Sequence, residues 1–353
     1  MRADCNTCLG TNTVPDLPRR LVIAAGASAA VIALLAAAAT IAWRELNTPL
    51  PLPEPAVLFE VQGGMPLATV TRTLAQRELL PTPRLLDWYA RLRGDATRIR
   101  AGEYELEAGL TPVALLDMFV AGDVYLHRFA IVEGWRFSEL VAALGTHPAI
   151  ESSTLEATEV MAALGQPGVH PEGQFLPDTY SFPKDTAAIE LLGWAHEALH
   201  SRLDAAWRAR AADVGLASAY EALILASIIE KETALEAERA LISGVFHRRL
   251  QRGMRLQADP TVIYGLGSDF DGNLTRPDLS RDTPYNTYTR SGLPPTPIAL
   301  PGGPAIDAAL APAAGDTLYF VATGAPDGSH YFSTTLEEHE RAVARYLETL
   351  RAR

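Results

Sequence analysis

Cysteine is almost missing from this chain. Only Cys5 and Cys8 occur among 353 residues, and both precede the first apolar segment, so no disulfide supports the body of the fold. Their C-x-x-C spacing offers two ligands, which do not complete a four-ligand zinc site. In a polar tail the pair is read as incidental. Lysine is as scarce, with Lys184 and Lys231 the only two. Positive charge is in deficit: the formal net charge is −12, and no nucleic-acid partner is expected. Histidine numbers eight. No metal site is read from these residues, and no cofactor is expected. No fixed-period repeat is present.

What is there suffices for two or three domains with a packed core. Apolar residues make up 48% and charged residues 20%. Residues 1–18 read as a polar tail. Leu21–Trp43 then runs 23 residues without a charge, about 34 Å as a helix against a hydrocarbon core of about 30 Å. That is long for the core of a cleaved signal peptide, the alternative that Ala36–Ala39 leaves open. Arg2, Arg19 and Arg20 precede the apolar run and Arg44 alone follows closely. The positive-inside rule therefore predicts a cytoplasmic tail and a body on the far side. Pro49, Pro51, Pro53 and Pro55 predict a stiff extended spacer.

The order beyond the spacer predicts an α+β protein. Residues 56–122 read as a small α/β module: a strand at Ala56–Val61, helices at Pro66–Leu79 and Pro83–Arg93, a strand at Ile99–Leu106, and a helix capped by Thr111. Residues 123–353 read as a larger mixed α/β domain. It begins with a strand near Tyr125–Val132 and helices led by Ser138 and Ser153. A proline-fixed irregular loop at Pro171–Pro183 and a long helix over 187–212 follow. A helix near Leu235–Arg252 comes later. Strands at Thr317–Thr323 and Ser329–Ser333 and a closing helix over 336–351 end the chain.

Ser218–Thr233 is the stretch with the clearest chemistry. Ser218 and Glu221 fit a capping box. Ala222–Ile229 is apolar or small on every side, which predicts a core helix. Glu230 ends that run, where desolvation and the negative end of the helix dipole both favour a protonated carboxyl, a candidate general acid. The alternative is a Glu230 paired with an arginine or turned to solvent. Glu232 lies about 200° round the helix and is not expected to share its cleft. Gln257 and Asp259 in Leu256–Gly265, and Tyr285, Asn286 and Tyr288 in Thr283–Gly292, are candidates for holding a sugar polymer. Aromatic faces cover sugar rings, and amides and hydroxyls bond their hydroxyl groups.

Taken together, Leu225-Ala-Ser-Ile-Ile-Glu-Lys-Glu-Thr233, Leu256-Gln-Ala-Asp-Pro-Thr-Val-Ile-Tyr-Gly265, Tyr285-Asn-Thr-Tyr288 and Gly292-Leu-Pro-Pro-Thr-Pro-Ile298 resemble the MltG (YceG-like) family of endolytic murein transglycosylases. Leu176-Pro-Asp-Thr-Tyr180 and Leu318-Tyr-Phe-Val-Ala322 agree. The resemblance implies one N-terminal membrane helix (19–44), a linker (45–55), a LysM-like module (56–122) and a catalytic domain (123–353) in the periplasm, anchored to the inner membrane. It implies cleavage of the β-1,4 bond between N-acetylmuramic acid and N-acetylglucosamine within nascent glycan strands, leaving 1,6-anhydromuramoyl ends. The implied catalytic residue is Glu230, acting as acid and then base. The implied partners are peptidoglycan strands and cell-wall synthases, the penicillin-binding proteins. A hydrolytic muramidase and a non-catalytic glycan tether are the alternatives.

Overall fold

The computed structural model describes residues 19–151 and 156–351, with side chains from residue 26 onward. The tail carrying Cys5 and Cys8, and the helix start expected at Ser153, lie outside the described residues. The chain is mixed α/β, with about half of it helical, and divides into two units, Met1–Tyr125 and Leu126–Arg353.

In the first unit, α1 (Arg19–Leu46) contains Gly26–Leu46, the one helical stretch among the described residues long and apolar enough to cross a membrane. β1 (Ala56–Val61) turns Phe59 and Val61 inward. α2 (Leu67–Gln76) and α3 (Pro83–Arg93) follow, and both helices bury one apolar face. β2 (Gly102–Glu107) returns antiparallel to β1 with Tyr104 opposite Phe59. α4 (Pro112–Ala121) starts where expected: Thr111 Oγ1 accepts the Ala114 N–H at 3.3 Å and Pro112 occupies the first turn, whose N–H groups have no partner within the helix.

The second unit opens with β3 (Leu126–Ala130) and α5 (Phe137–Thr146). Ser138 does not lead α5. Arg136 is its N-cap, and Glu139 reaches back to accept the Arg136 N–H at 2.7 Å. β4 (Ile150–Glu151) and α6 (Ala157–Ala163) follow. The loop expected as irregular over 171–183 ends instead in β5 (Thr179–Pro183), because its last residues find an antiparallel partner in β3. β6 (Thr186–Ala187) pairs with β4 and leads into α7 (Ala188–Arg208).

The core of this unit is α8 (Ala219–Glu232). Ser218 Oγ accepts the Glu221 N–H at 3.2 Å, while Glu221 accepts the N–H of Ala217, one residue earlier than the capping box predicts. Every residue from Ala222 to Ile229 is buried, as an all-apolar helix surface requires. Ser227 is the polar exception and is fully bonded. Its hydroxyl donates to Ile224 O at 2.7 Å and accepts the Ile298 N–H at 3.0 Å. This holds the proline-rich 292–303 segment against the helix. α9 (Glu236–Gln251), α10 (Asp259–Leu266), α11 (Arg276–Ser280) and α12 (Gly303–Leu310) come next. α7, α9, α10 and α12 all pack on α8. β7 (Tyr319–Ala322) and β8 (His330–Ser333) form a hairpin, and α13 (Leu336–Arg351) packs on both strands.

Candidate active site

Two carboxylates close α8, and the helix sends them about 200° apart. Glu230 points into a tight polar seam. Its side chain is only 7% exposed, with Oε1 3.8 Å from Arg239 Nη2. Oε2 accepts the Gly302 N–H at 3.0 Å. A Cβ on residue 302 would meet the Glu133 carboxylate, which lies close against this glycine. Burial pushes the Glu230 carboxyl up from its ordinary value. The Gly302 N–H pulls it back, Glu133 raises it, and Arg239 and Lys231 lower it. Glu230 thus joins the end of α8 to the residue that caps α12, with an arginine beside it. That is the arginine-paired arrangement named above as the alternative for Glu230.

Glu232 instead lines a cavity of about 400 Å³, within the range of small-molecule sites. Arg249, Gln257, Asp259, Tyr288, His330 and His339 share its wall; Glu230 does not. Burial pushes Glu232 up to about 8, Asp259 pushes further in the same direction, and Arg249 opposes both. Its place at the C-terminal end of α8 adds the unfavourable end of the helix dipole. At neutral pH the group is a carboxylic acid with a proton to give.

The cavity wall is stitched from four directions. Arg249 of α9 is buried, and its Nε and Nη1 donate to Leu318 O and Leu256 O, each at 2.7 Å. One guanidinium therefore fixes both the entry to β7 and the segment before α10. Gln257 has φ of +54°, a left-handed conformation that is costly for a residue with a side chain. It is held there by its N–H on Thr287 O at 3.1 Å and by the next N–H, of Ala258, on Thr287 Oγ1 at 3.0 Å. Asp259 begins α10 and accepts a hydrogen bond from the Tyr288 hydroxyl. Burial, followed by the Asp259 hydrogen bond, pushes the Tyr288 phenol up, so it stays a donor. His330 begins β8, where Glu238 holds it at two points: Oε1 accepts its backbone N–H at 2.9 Å, and Oε2 lies 2.7 Å from its ring Nδ1.

Of the residues expected to hold substrate, Gln257, Asp259 and Tyr288 come together at this cavity. Tyr285 and Asn286 do not. Tyr285 stacks edge-on against Tyr264 at 4.8 Å, and its hydroxyl is 2.9 Å from Thr296 Oγ1. Asn286 is 1% exposed. Its amide donates to the carbonyls of Leu279 and Arg281 and its oxygen accepts the Tyr288 N–H, so it shapes the loop from within. Glu232, Arg249 and His339 are the members that sequence reasoning missed. Geometry predicted that Glu230 and Glu232 face apart, but spacing alone does not say which of them meets Asp259. His196 and His200 also stand at the i, i+4 spacing of a metal pair, which the histidine reading overlooked. Their rings are 4.3 Å apart, but His196 Nδ1 is bonded to Gln174 O at 2.9 Å. No third ligand joins them among the described residues.

Residues 59–345 match the model of the YceG-like family. The chain belongs to that family. The matched range of this YceG-like chain contains Glu232 and the six cavity residues named with it. The chain is 28% identical over 313 residues to the endolytic murein transglycosylase of Bacillus subtilis, covering 83% of this chain and 85% of that one. It is 26% identical over 333 residues to the endolytic murein transglycosylase of Streptococcus pneumoniae serotype 2, strain D39, where it spans 59% of the longer relative. A crystal structure of a YceG-like protein from Listeria monocytogenes superposes with a TM-score of 0.51 at 28% identity, covering 81% of this chain and 98% of that one.

Proposed function

We propose that this YceG-like chain is an endolytic murein transglycosylase that cleaves the bond between N-acetylmuramic acid and N-acetylglucosamine inside nascent glycan strands, and so ends their elongation. The observation that carries the proposal is Glu232, which lines one polar cavity with Asp259 and Tyr288 and whose carboxyl burial pushes up to about 8. Glu232 donates its proton to the glycosidic oxygen as the bond to muramoyl C1 breaks. The anionic Asp259 favours the positive charge that develops at C1. The muramoyl C6 oxygen closes on C1 and gives its proton to Glu232, ionised by the first step, in a ring closure favoured by the high effective concentration of an intramolecular nucleophile. Gln257 and Tyr288 position the sugar.

The remaining parts follow the same reading. Residues 1–18 are a cytoplasmic tail, and 19–44 anchor the chain in the inner membrane. Residues 45–55 are a linker, and 123–353 are the catalytic domain in the periplasm. The β-α-α-β order of 56–122, with its antiparallel pair, supports a LysM-like module that holds glycan. Cell-wall synthases that make the strands are the partners this placement implies. The experiment is mass analysis of the ends released from purified strands. Anhydromuramoyl ends are expected. Reducing ends, heavier by one water, would make the protein a muramidase, and retention of polymer without new ends would make it a tether.

A further inference from the structure

We propose that the exposed face of α3, made by Arg84, Trp88, Arg91 and Leu92, rests in the phospholipid headgroup layer of the membrane that α1 spans. The first unit then lies on the bilayer and not above it. The docking rests on the reading of 19–44 as a membrane anchor and gives that anchor a second point of contact. It is independent of the chemistry in the cavity.

The join between α1 and β1 places α3. The proline-rich stretch is expected to be a free spacer, but its start is packed down. Leu46 and Leu50 are 4% and 6% exposed and belong to the same apolar core as Phe59, Val70, Leu86 and Tyr104. The Leu50 N–H donates to Leu110 O, and the Ala108 N–H donates to Pro55 O, each at 2.8 Å. Both ends of the stretch are thus tied to the turn between β2 and α4. α3 packs against α1. From residue 26 onward, only Ala42 and Leu46 of α1 are covered, one turn apart, so the contact is with the last turn. Leu46 lies about 4.5 Å beyond Trp43, where the uncharged run ends. The headgroup layer extends about 5–7 Å past the hydrocarbon on each side. A helix about 10 Å across, packed at Ala42 and Leu46, meets that layer.

The surface that α3 offers suits this place. Trp88 is 66% exposed, and Leu92, one turn on, is 78% exposed. Arg84 precedes Trp88 by one turn and Arg91 follows it by three residues, so all four share one side. Both arginines are exposed. Arg93 is instead taken by Asp95 and Asp117 at 2.9 and 2.8 Å, and Asp87, the one acid of α3, accepts the Thr71 hydroxyl at 2.9 Å. Tryptophan and leucine flanked by arginine is the chemistry of a membrane interface. The ring and the chain enter the acyl boundary, and the guanidinium groups meet phosphate. In a chain of net charge −12, this is a local positive face that matches anionic lipid.

The test uses the full chain in vesicles of phosphatidylglycerol and phosphatidylethanolamine brominated on their acyl chains, where bromine quenches nearby tryptophan. Of the five tryptophans, Trp43 and Trp88 belong to the first unit. Comparison with Trp43→Phe and Trp88→Phe isolates the emission of each. Both are expected to be quenched, and to a similar extent. Arg84→Glu with Arg91→Glu reverses two exposed charges and is expected to release Trp88 from the quencher while Trp43 stays quenched. Quenching of Trp43 without Trp88 in the parent chain would overturn the docking and leave the anchor standing. Trp88 quenching unchanged by the double reversal would overturn the phosphate contact that the docking needs. Quenching of neither tryptophan would overturn the anchor, and the docking with it. A Trp88 that responds to purified glycan strands and not to brominated lipid would give this face to sugar instead.

Discussion

Glu230 and Glu232 are separated by one residue, yet one braces a backbone and the other faces a cavity. Glu230 Oε2 holds the Gly302 N–H at 3.0 Å, whereas Glu232 meets Asp259 and Arg249. Burial raises both carboxyl groups. A raised pKa alone therefore does not mark the acid; what surrounds it does.

The pH dependence follows from Glu232. It must enter the cycle protonated, and it titrates at about 8. Turnover is expected to hold below that value and to fall as pH rises through it. Asp259→Asn removes an anion that holds the proton on Glu232, so the alkaline limb should move to lower pH. The amide still offers an oxygen to the Tyr288 hydroxyl. A pH profile of kcat/KM for the two chains measures the shift; an unmoved limb would show that Asp259 does not act on Glu232.

Asn286 should matter for stability rather than contact with sugar. Its amide is buried and donates to Leu279 O and Arg281 O. Asn286→Ala leaves these carbonyls and the Tyr288 N–H without their partner, at about 1–3 kcal/mol. Asn286→Asp is expected to be worse, since it sets an anion against carbonyl oxygens. Denaturant unfolding reads both. A substitution that weakens glycan binding with stability unchanged would return Asn286 to the substrate.

Glu172 gives the fold its own pH response. It accepts the Phe137 N–H at 2.9 Å and the Tyr264 hydroxyl at 3.1 Å, tying 171–183 to α5 and α10. Burial pushes it from 4.5 to about 7, against both hydrogen bonds. The folded chain thus holds this proton more tightly than the unfolded chain. Its contribution is most favourable below 4.5 and is lost as pH rises toward 7, by about 3 kcal/mol at most. Glu172→Gln should flatten that slope in melting temperature against pH, and an unchanged slope would assign it to other groups.

Much of the fold was legible because local chemistry decides it. The Thr111-Pro112 start of α4, the Pro83–Arg93 helix and the β1 strand appear where turn, cap and alternation signals place them. The buried core of α8 follows from its apolar surface. The β5 strand did not show because its proline-rich segment becomes a strand only against β3, a partner about fifty residues away. The site was half legible for the same reason. Gln257, Asp259 and Tyr288 carry the polar chemistry of a sugar site in their own sequence. Which glutamate they meet depends on how α10 packs on α8 and β7 on α9, and no local signal encodes that.

The decisive measurement is end-group mass analysis of purified glycan strands cleaved by two isosteric variants, Glu232→Gln and Glu230→Gln. The amide introduced by Glu232→Gln has no proton acidic enough to give, so anhydromuramoyl ends should be lost by at least about 100-fold. The amide introduced by Glu230→Gln can still accept the Gly302 N–H, and anhydromuramoyl ends should form at close to the parent rate. Full activity in Glu232→Gln with none in a well-folded Glu230→Gln would contradict the account.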